Sequence, residues 1–410
     1  MAQAGIPDAA TIVGSLGLEG NEPFQGLWDS DAILGNALVV EAKYRTMCRL
    51  IEDAGCHTCV DLPCGYTPKA LRMTEKGIRF VGLDLPIVVQ EIEPILRSLS
   101  AHPLRMSFHG VDATNYASLA EALRDVDGPL CITTEGMMMY FTDIEAEAVI
   151  SNIRDLLEAY SGSWITPDPE FMLQFFGSFR SVFGESSLGK LTASGKTAQK
   201  QSNVPNLSNA FILDVKDIPG SRKKAEALLG KHGLKAEKVN LADHMPTLSV
   251  YQKLTAEQIR RFEKAMQDCH YWVITLDGTR KRQEGCPVQI QRPFGMSYTV
   301  ENGTFRLTLE GRLDSISAPE ILMAWEEEKA ASAIEEVTVE GSGLSYISSA
   351  GIRVLLDIQE ECSRGMMFID VNPSVAGILA QQGFTKTAEG RWKSEGSTSR
   401  SAGKGTLGVL

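Results

Sequence analysis

The chain has 410 residues with a formal net charge of −12, too long for one ordinary hydrophobic core, so two domains or a large α/β domain with a module are expected. Hydrophobic residues at 43% and charged residues at 22% are ordinary globular values and exclude wholesale disorder. The acidic balance excludes a nucleic-acid binder, which needs clustered Lys and Arg to neutralise phosphate.

In chain order, Asp31–Ala54 reads as a helix, with Ile33, Leu38, Val39, Met47, Leu50 and Ile51 recurring around a charged face. A β/α alternation follows. Strand Thr58–Leu62 turns through Pro63-Cys64-Gly65 into a helical stretch. Strand Arg79–Leu83 ends in Asp84 and precedes helix Val88–Ser100. Strand Leu104–His109 ends at Asp112 and precedes helix Tyr116–Arg124. Strand Pro129–Thr134 ends at Glu135, helix Asp143–Tyr160 follows, and strand Ser163–Pro167 closes the set. This spacing predicts a mostly parallel sheet covered on both faces.

Ser178–Leu207 loses periodicity and is rich in Ser, Gly, Lys and Gln; a lid and a disordered insertion are both open. Pattern returns with helix Arg222–His232, strand Ala236–Leu241, helix Ala256–Gln267 and strand Tyr271–Leu276. Residues 278–295 lack periodicity and read as a linker after a first domain over 1–277. A smaller α/β domain over 296–393 follows. Its strands are Ser297–Val300, Thr304–Leu309, Glu336–Glu340 with Tyr346–Ile347, and Met366–Val371. Its helices are Pro319–Ala331, Ala350–Cys362 and Pro373–Gln382. The Gly/Ser-rich tail, 394–410, reads as disordered.

No window approaches the ~18 uninterrupted apolar residues that cross a bilayer. The N-terminus has no basic start followed by an apolar run, so the chain reads as cytoplasmic with no membrane partner. Eight cysteines are scattered through it, which fits free thiols in a reducing compartment. Cys56-His57-Thr58-Cys59 has redox or zinc spacing, but it runs straight into a strand and no second pair completes a metal site; no metal is expected. From Met296 to Glu395 there are 8 Lys and Arg against 16 Asp and Glu, an acidic face suited to solvent or to a basic partner surface.

Asp61, Asp84 and Asp112 stand at consecutive strand ends, where ligands of doubly wound sheets bind. Gly65 permits a tight turn and close backbone approach. Asp84, 19 residues further on, suits the two hydroxyls of a ribose, and Asp112 suits an adenine amino group. The turn Asp61-Leu62-Pro63-Cys64-Gly65-Tyr66 is not a pyrophosphate-binding G-x-G-x-x-G. A nucleoside without phosphates therefore fits better than NAD. Strand-end aspartates also cap helices, so the register of three carries the signal rather than any one of them.

The blocks Ala42-Lys43-Tyr44-Arg45, Val60 to Gly65, Val81 to Pro86, Val111-Asp112-Ala113 and Thr134 to Tyr140 resemble the leucine carboxyl methyltransferase and polyketide O-methyltransferase family over roughly Asp31–Leu276. The resemblance implies a Rossmann-like class I methyltransferase fold with S-adenosyl-L-methionine as cofactor. It places Asp61, Gly65, Asp84, Leu85, Asp112, Ala113 and Glu135 around that cofactor, with Lys43 or Arg45 on its carboxylate. Tyr140 and Asp168 are candidate catalytic residues on the acceptor side; packing and capping are their alternative roles. Methyl transfer to oxygen needs placement and desolvation more than covalent help.

Gly311-Arg312-Leu313-Asp314, Ser315 to Glu320 and Ser345 to Arg353 resemble the STAS family of anti-sigma factor antagonists over about Met296–Lys393. The resemblance implies a small α/β domain binding a partner such as an anti-sigma factor or serine kinase, with Ser349 as the phosphorylation site and Asp314 nearby. Ser348 stands where that family usually has Asp. A Ser349 side chain capping helix Ala350–Cys362 is the alternative role. Together the two parts read as an S-adenosylmethionine-dependent O-methyltransferase, acting on a carboxyl or hydroxyl of a small molecule or protein and governed by its STAS domain. The runner-up is a catalytically inactive scaffold or sensor that binds the same cofactor in anti-sigma-antagonist-type signalling.

Overall fold

Apolar runs bounded by acidic and glycine-rich turns build two separate sheets. The computed structural model describes residues 1–17, 30–184, 209–278, 294–381 and 383–394. The chain divides into two units, Met1–Cys286 and Pro287–Leu410.

The first unit holds β1 (Thr58–Asp61), β2 (Arg79–Asp84), β3 (Met106–Gly110), β4 (Leu130–Thr133), β5 (Gly162–Thr166), β6 (Leu234–Asn240) and β7 (His270–Leu276). Their order is β3-β2-β1-β4-β5-β7-β6. β1 to β5 pair in parallel, and β7 runs antiparallel to both β5 and β6. The first five strands thus follow the doubly wound order 3-2-1-4-5, whose reversal point lies between β1 and β4. β1 and β4 are buried along their whole length, as strands covered on both faces must be. Alternation divides their side chains: Cys59 and Cys131 enter one core with Leu38, Met47 and Ile51, while Val60 and Ile132 enter the other with Val149, Ile153 and Trp164.

The helices are α1 (Ala9–Ser15), α2 (Ser30–Asp53), α3 (Lys69–Glu75), α4 (Pro86–Leu99), α5 (Tyr116–Ala122), α6 (Asp143–Tyr160), α7 (Phe171–Phe183), α8 (Ile218–Lys231), α9 (Leu241–His244) and α10 (Ala256–Met266). Local chemistry sets several starts. Pro86 opens α4 at its first turn, and reciprocal Thr142–Glu145 and Thr255–Gln258 capping boxes open α6 and α10. Two expectations change. Pro103–Arg105 is a 3-10 turn with Leu104 98% exposed, so β3 begins only at Met106. Ser178–Phe183 is the end of α7, not the start of a lid: Ser178 is buried and donates to the Gln174 carbonyl (2.5 Å), and Phe179 is fully buried. That helix is apolar nearly all round, which blurs the 3.6-residue contrast that marks an amphipathic helix. The remainder of the expected lid, 185–208, lies outside the described residues.

The second unit holds β8 (Gly295–Glu301), β9 (Thr304–Leu313), β10 (Glu336–Ile347), β11 (Gly365–Ile369), β12 (Phe384–Lys386) and β13 (Trp392–Ser394), ordered β12-β13-β11-β10-β9-β8. β9, β10 and β11 are parallel, and the other pairings are antiparallel. α11 (Ala318–Ala331), α12 (Ser349–Glu360) and α13 (Pro373–Gln381) accompany the sheet. Trp325, Leu355 and Leu379 from these helices join Phe305, Leu307, Val339 and Phe368 in one core. The two short strands expected over 336–347 are one strand, irregular between Glu340 and Gly343 and between Leu344 and Tyr346. β8 begins inside the expected linker, at Gly295; 279–293 and the tail 395–410 lie outside the described residues. Among the described residues no helix is long and apolar enough to cross a membrane.

Candidate functional site

In doubly wound sheets ligands bind outside the carboxyl ends of the strands where the order reverses, here between β1 and β4. Beyond β1 the chain is stapled to both neighbours: Leu62 N–H donates to the Thr133 carbonyl (2.9 Å) and Cys64 N–H to the Leu83 carbonyl (3.0 Å). Gly65 then adopts a left-handed φ of +52°, which a glycine takes at little cost. Its N–H donates to Asp84 Oδ2 (2.7 Å), while Leu85 N–H donates to Asp84 Oδ1 (2.7 Å). Burial pushes the Asp84 carboxyl up, and these two donors oppose that shift. A carboxylate has about four lone-pair sites, so Asp84 retains acceptor capacity for ligand hydroxyls. Leu85 beside it is 44% exposed.

Asp112 is buried at the end of the third strand, and its Oδ1 accepts from the Thr114 N–H (2.8 Å) and hydroxyl. The Ala113 carbonyl accepts from Asn152 Nδ2 (2.9 Å), which ties this loop to α6.

Four charged groups gather nearer the reversal. Asp61 is fully buried; its Oδ1 takes Lys69 Nζ (2.8 Å) and the Thr133 hydroxyl (2.6 Å), and its Oδ2 has no hydrogen-bond partner among the described residues. Burial raises the Asp61 carboxyl, with Lys69 and Thr133 pulling the other way. Burial works to lower the Lys69 ammonium, but Asp61 and Glu135 outweigh it and hold it above the ordinary lysine value. Lys43 Nζ lies 3.3 Å from Glu135 Oε1 and 4.9 Å from the centre of the Phe171 ring.

Lys43, rather than Arg45, meets Glu135. Two residues apart on a helix is about 200° of rotation, and Arg45 pairs instead with Glu41 (2.6 Å). Glu41 also accepts the N–H groups of Ser249 (2.8 Å) and Val250 (2.9 Å), so Arg45 belongs to a contact between α2 and a distant turn.

Of the two roles open to Asp168, acceptor side or packing and capping, its contacts are those of the second. It is fully buried, and its oxygens accept from the N–H groups of Gly136 (2.6 Å), Met137 (3.1 Å) and Met138 (2.9 Å). Burial raises its carboxyl while these donors and Lys43 lower it. A tight turn in which Gly136 has φ +73° leaves three N–H groups without carbonyl partners, and Asp168 supplies the acceptor. It positions the turn that carries Glu135. Tyr140, in the same segment, is 44% exposed, its phenol raised by burial and by Asp168.

Sequence reasoning passed over Lys69, Thr133 and Glu170. Glu170 is fully buried and receives Arg222 (3.0 Å), the His270 N–H (2.8 Å) and ring (3.1 Å), and the Trp272 indole (3.2 Å). The signal was present as Asp168-Pro169-Glu170, two carboxylates immediately before an apolar helix. Cys59 of the CxxC pair is fully buried in β1 opposite Cys131, and burial pushes its thiol up. Among the described residues no three His, Cys, Asp or Glu side chains are grouped to hold a metal.

In the second unit the end of β9 meets the start of α12. Arg312 Nε bonds Asp314 Oδ2 (2.9 Å), and its guanidinium lies 3.9 Å over the Tyr346 ring. Asp314 Oδ1 accepts from Ile316 N–H (3.0 Å) and Ser317 N–H (3.3 Å). The cap of α12 is Ser348, not Ser349: Ser348 has extended backbone, its hydroxyl accepts from Gly351 N–H (3.1 Å), and Ser349 is the first helical residue. A Cβ at Gly351 would stand 2.7 Å from Leu313 Cγ, so the helix start is packed tightly on the strand end. Ile316 and Met323, the latter 73% exposed, present apolar surface on this unit.

Residues 296–392 match the STAS domain family. No curated protein matches the chain. Among solved structures, a possible exported protein from Bordetella parapertussis is 16% identical over 59% of this chain and 69% of that one, with a TM-score of 0.36. Human N-acetylserotonin methyltransferase in complex with SAM is 12% identical over 66% and 65%, with a TM-score of 0.31. Magnesium protoporphyrin IX methyltransferase from Synechocystis with bound SAH is 12% identical over 62% and 93%, with a TM-score of 0.34. The chain is an α/β protein whose first unit has a mostly parallel, doubly wound sheet and whose residues 296–392 are a STAS domain.

Proposed function

We propose that the first unit binds S-adenosyl-L-methionine and transfers its methyl group to a carboxyl or hydroxyl oxygen of a small molecule or protein. The observation that carries this reading is the set of groups at the strand reversal: Asp84 fixed by Gly65 and Leu85, and the Lys43–Glu135 pair beside the buried Asp61. The unmatched Asp61 Oδ2 and the left-handed Gly65 fit a nucleoside that carries an amino-acid end. Asp84 would hold the ribose hydroxyls, Lys43 the carboxylate, and Asp112 with Ala113 the adenine side. The bound cofactor supplies an electrophilic methyl sulfonium. The chain's own contribution is orientation and exclusion of water, with Asp168 holding the Glu135 turn and Tyr140 at the rim.

The STAS domain would govern activity or location by docking a partner such as an anti-sigma factor or serine kinase. Ser349, at the first turn of α12, is the proposed phosphorylation site, since a helix N-terminus tolerates an added anion.

Calorimetric titration of the full chain with S-adenosylhomocysteine and, separately, with NAD tests the reading. Saturable binding of the first and none of the second is expected; the reverse overturns it. A second reading, the non-catalytic sensor, is favoured by the complete engagement of Asp168 with backbone N–H groups. Binding without methyl transfer to any acceptor would select it.

A further inference from the structure

We infer that Lys69 is a positioning residue that holds Asp61 by its Oδ1, so that Oδ2 is left to receive the ammonium group of the ligand. The inference rests on the reading of the crevice as a site for a nucleoside bearing an amino-acid end.

Asp61 ends β1 and Lys69 begins α3, so the turn between them folds back and buries both side chains. A buried carboxylate ordinarily has every oxygen matched, because an unmatched one is costly. Here Lys69 and Thr133 both crowd onto Oδ1, and Oδ2 is left fully buried without a hydrogen-bond partner. The groups facing this carboxylate are Lys69 from α3, Glu135 beyond β4, Asp84 at the end of β2, and the thiols of Cys48, Cys59, Cys64 and Cys131.

Lys69 is the one ammonium in that set, and Lys43 reaches it only through Glu135. Lys69 offsets part of the burial that pushes the Asp61 carboxyl up, and a carboxylate pairs with an ammonium through a charge-assisted hydrogen bond. Lys43 pairs with Glu135 and Lys69 with Asp61, with Asp84 and Asp168 as further carboxylates close by. A zwitterionic ligand end enters such a set without a net change of charge: its carboxylate takes Lys43 from Glu135, and its ammonium takes Asp61 Oδ2. Lys69 itself stays committed to Asp61, so its effect on the ligand is exerted through that carboxylate.

The test is calorimetry on the full chain with two probes: S-adenosylhomocysteine, and 5′-methylthioadenosine, which shares the nucleoside and lacks the ammonium and carboxylate. Lys69→Met is expected to weaken S-adenosylhomocysteine by about tenfold to a hundredfold, the range of one charge-assisted hydrogen bond, and to leave methylthioadenosine within about twofold. Lys69→Arg should restore most of the loss. Should Lys69→Met fail to fold, Lys69→Gln, an uncharged side chain that can still donate to Asp61 Oδ1, is measured with the same two probes and the same expectation. Equal weakening of both probes, or no weakening of S-adenosylhomocysteine, overturns the role of Lys69 while the crevice remains a nucleoside site. A wild type that binds neither probe overturns the crevice reading and this inference with it.

Discussion

Buried aspartates are treated differently in the two units. Asp314 has Arg312 on one oxygen and the Ile316 and Ser317 N–H groups on the other, closing a network at the end of β9. Asp61, at the end of β1, has two donors on one oxygen and none on the other. A closed network fixes a loop and has no acceptor to offer a ligand. An open one stores an unmatched acceptor in the interior, which a ligand can complete. Asp168 shows the closed pattern again within the first unit. Strand-end carboxylates therefore divide into those whose oxygens are both taken by donors and those with an oxygen left over, and on the proposed reading the second kind faces the ligand.

Removing a closed carboxylate should have the largest effect on stability. Asp168→Ala leaves three turn N–H groups without their acceptor, and a loss of about 3 kcal/mol is expected in urea unfolding. S-adenosylhomocysteine affinity should fall as well, because Glu135 rides on that turn. A variant as stable as wild type would place Asp168 outside the scaffold.

Asp84 has both characters, since backbone donors fix it and spare acceptor sites remain. Asp84→Ala is expected to reduce S-adenosylhomocysteine affinity by about 1–3 kcal/mol, the cost of unmatched ligand hydroxyls. Calorimetry giving equal affinity for the two proteins would remove Asp84 from the site.

Glu170 sharpens the comparison through pH. Burial raises its carboxyl, but His270, Trp272 and Arg222 outweigh burial and hold it below the ordinary value. A carboxyl depressed on folding contributes stability that is present above its unfolded pKa and lost as pH falls through its folded one. Glu170→Gln should therefore cost about 1–3 kcal/mol near neutral pH. The variant and wild type should converge in denaturant melts as pH falls below about 4. A cost independent of pH would mean that packing, not charge, is what Glu170 supplies.

The smallest effects belong to the start of α12. Ser348→Ala should cost about 0.5–2 kcal/mol as loss of a cap. Ser349→Ala should stay within about 0.5 kcal/mol. Ser349→Asp should fold normally and weaken docking of a partner; thermal melts with a pull-down separate the three. If Ser349→Ala is the destabilising change, the cap has been placed one residue too early.

Strands were the most legible part of the chain, because short apolar runs ending in Asp or Glu mark a buried parallel sheet without further context. Helix α7 was hidden by its own hydrophobicity, and β12 and β13, three residues each, are too short for a period to register. Within the site, helical spacing says that Lys43 and Arg45 point different ways, and the contacts with Glu135 and Glu41 say which way each points. Asp168 was not separable, since a sequence shows a carboxylate but not the N–H groups aimed at it. Nor was Lys69: a lysine in a turn reads as solvated, and only the fold brings it against Asp61. The cap of α12 moved by one residue because Ser348 and Ser349 are chemically alike, and only backbone dihedrals distinguish them.

The most direct measurement is a crystal structure of the full chain grown with S-adenosylhomocysteine. The expected result is one ligand at the carboxyl ends of β1, β2 and β4, its ribose hydroxyls on Asp84, its carboxylate on Lys43 and its ammonium on Asp61 Oδ2. Ligand bound elsewhere, or a crevice in which Asp84 and Asp61 touch no ligand atom at saturating concentration, would contradict the proposed cofactor site.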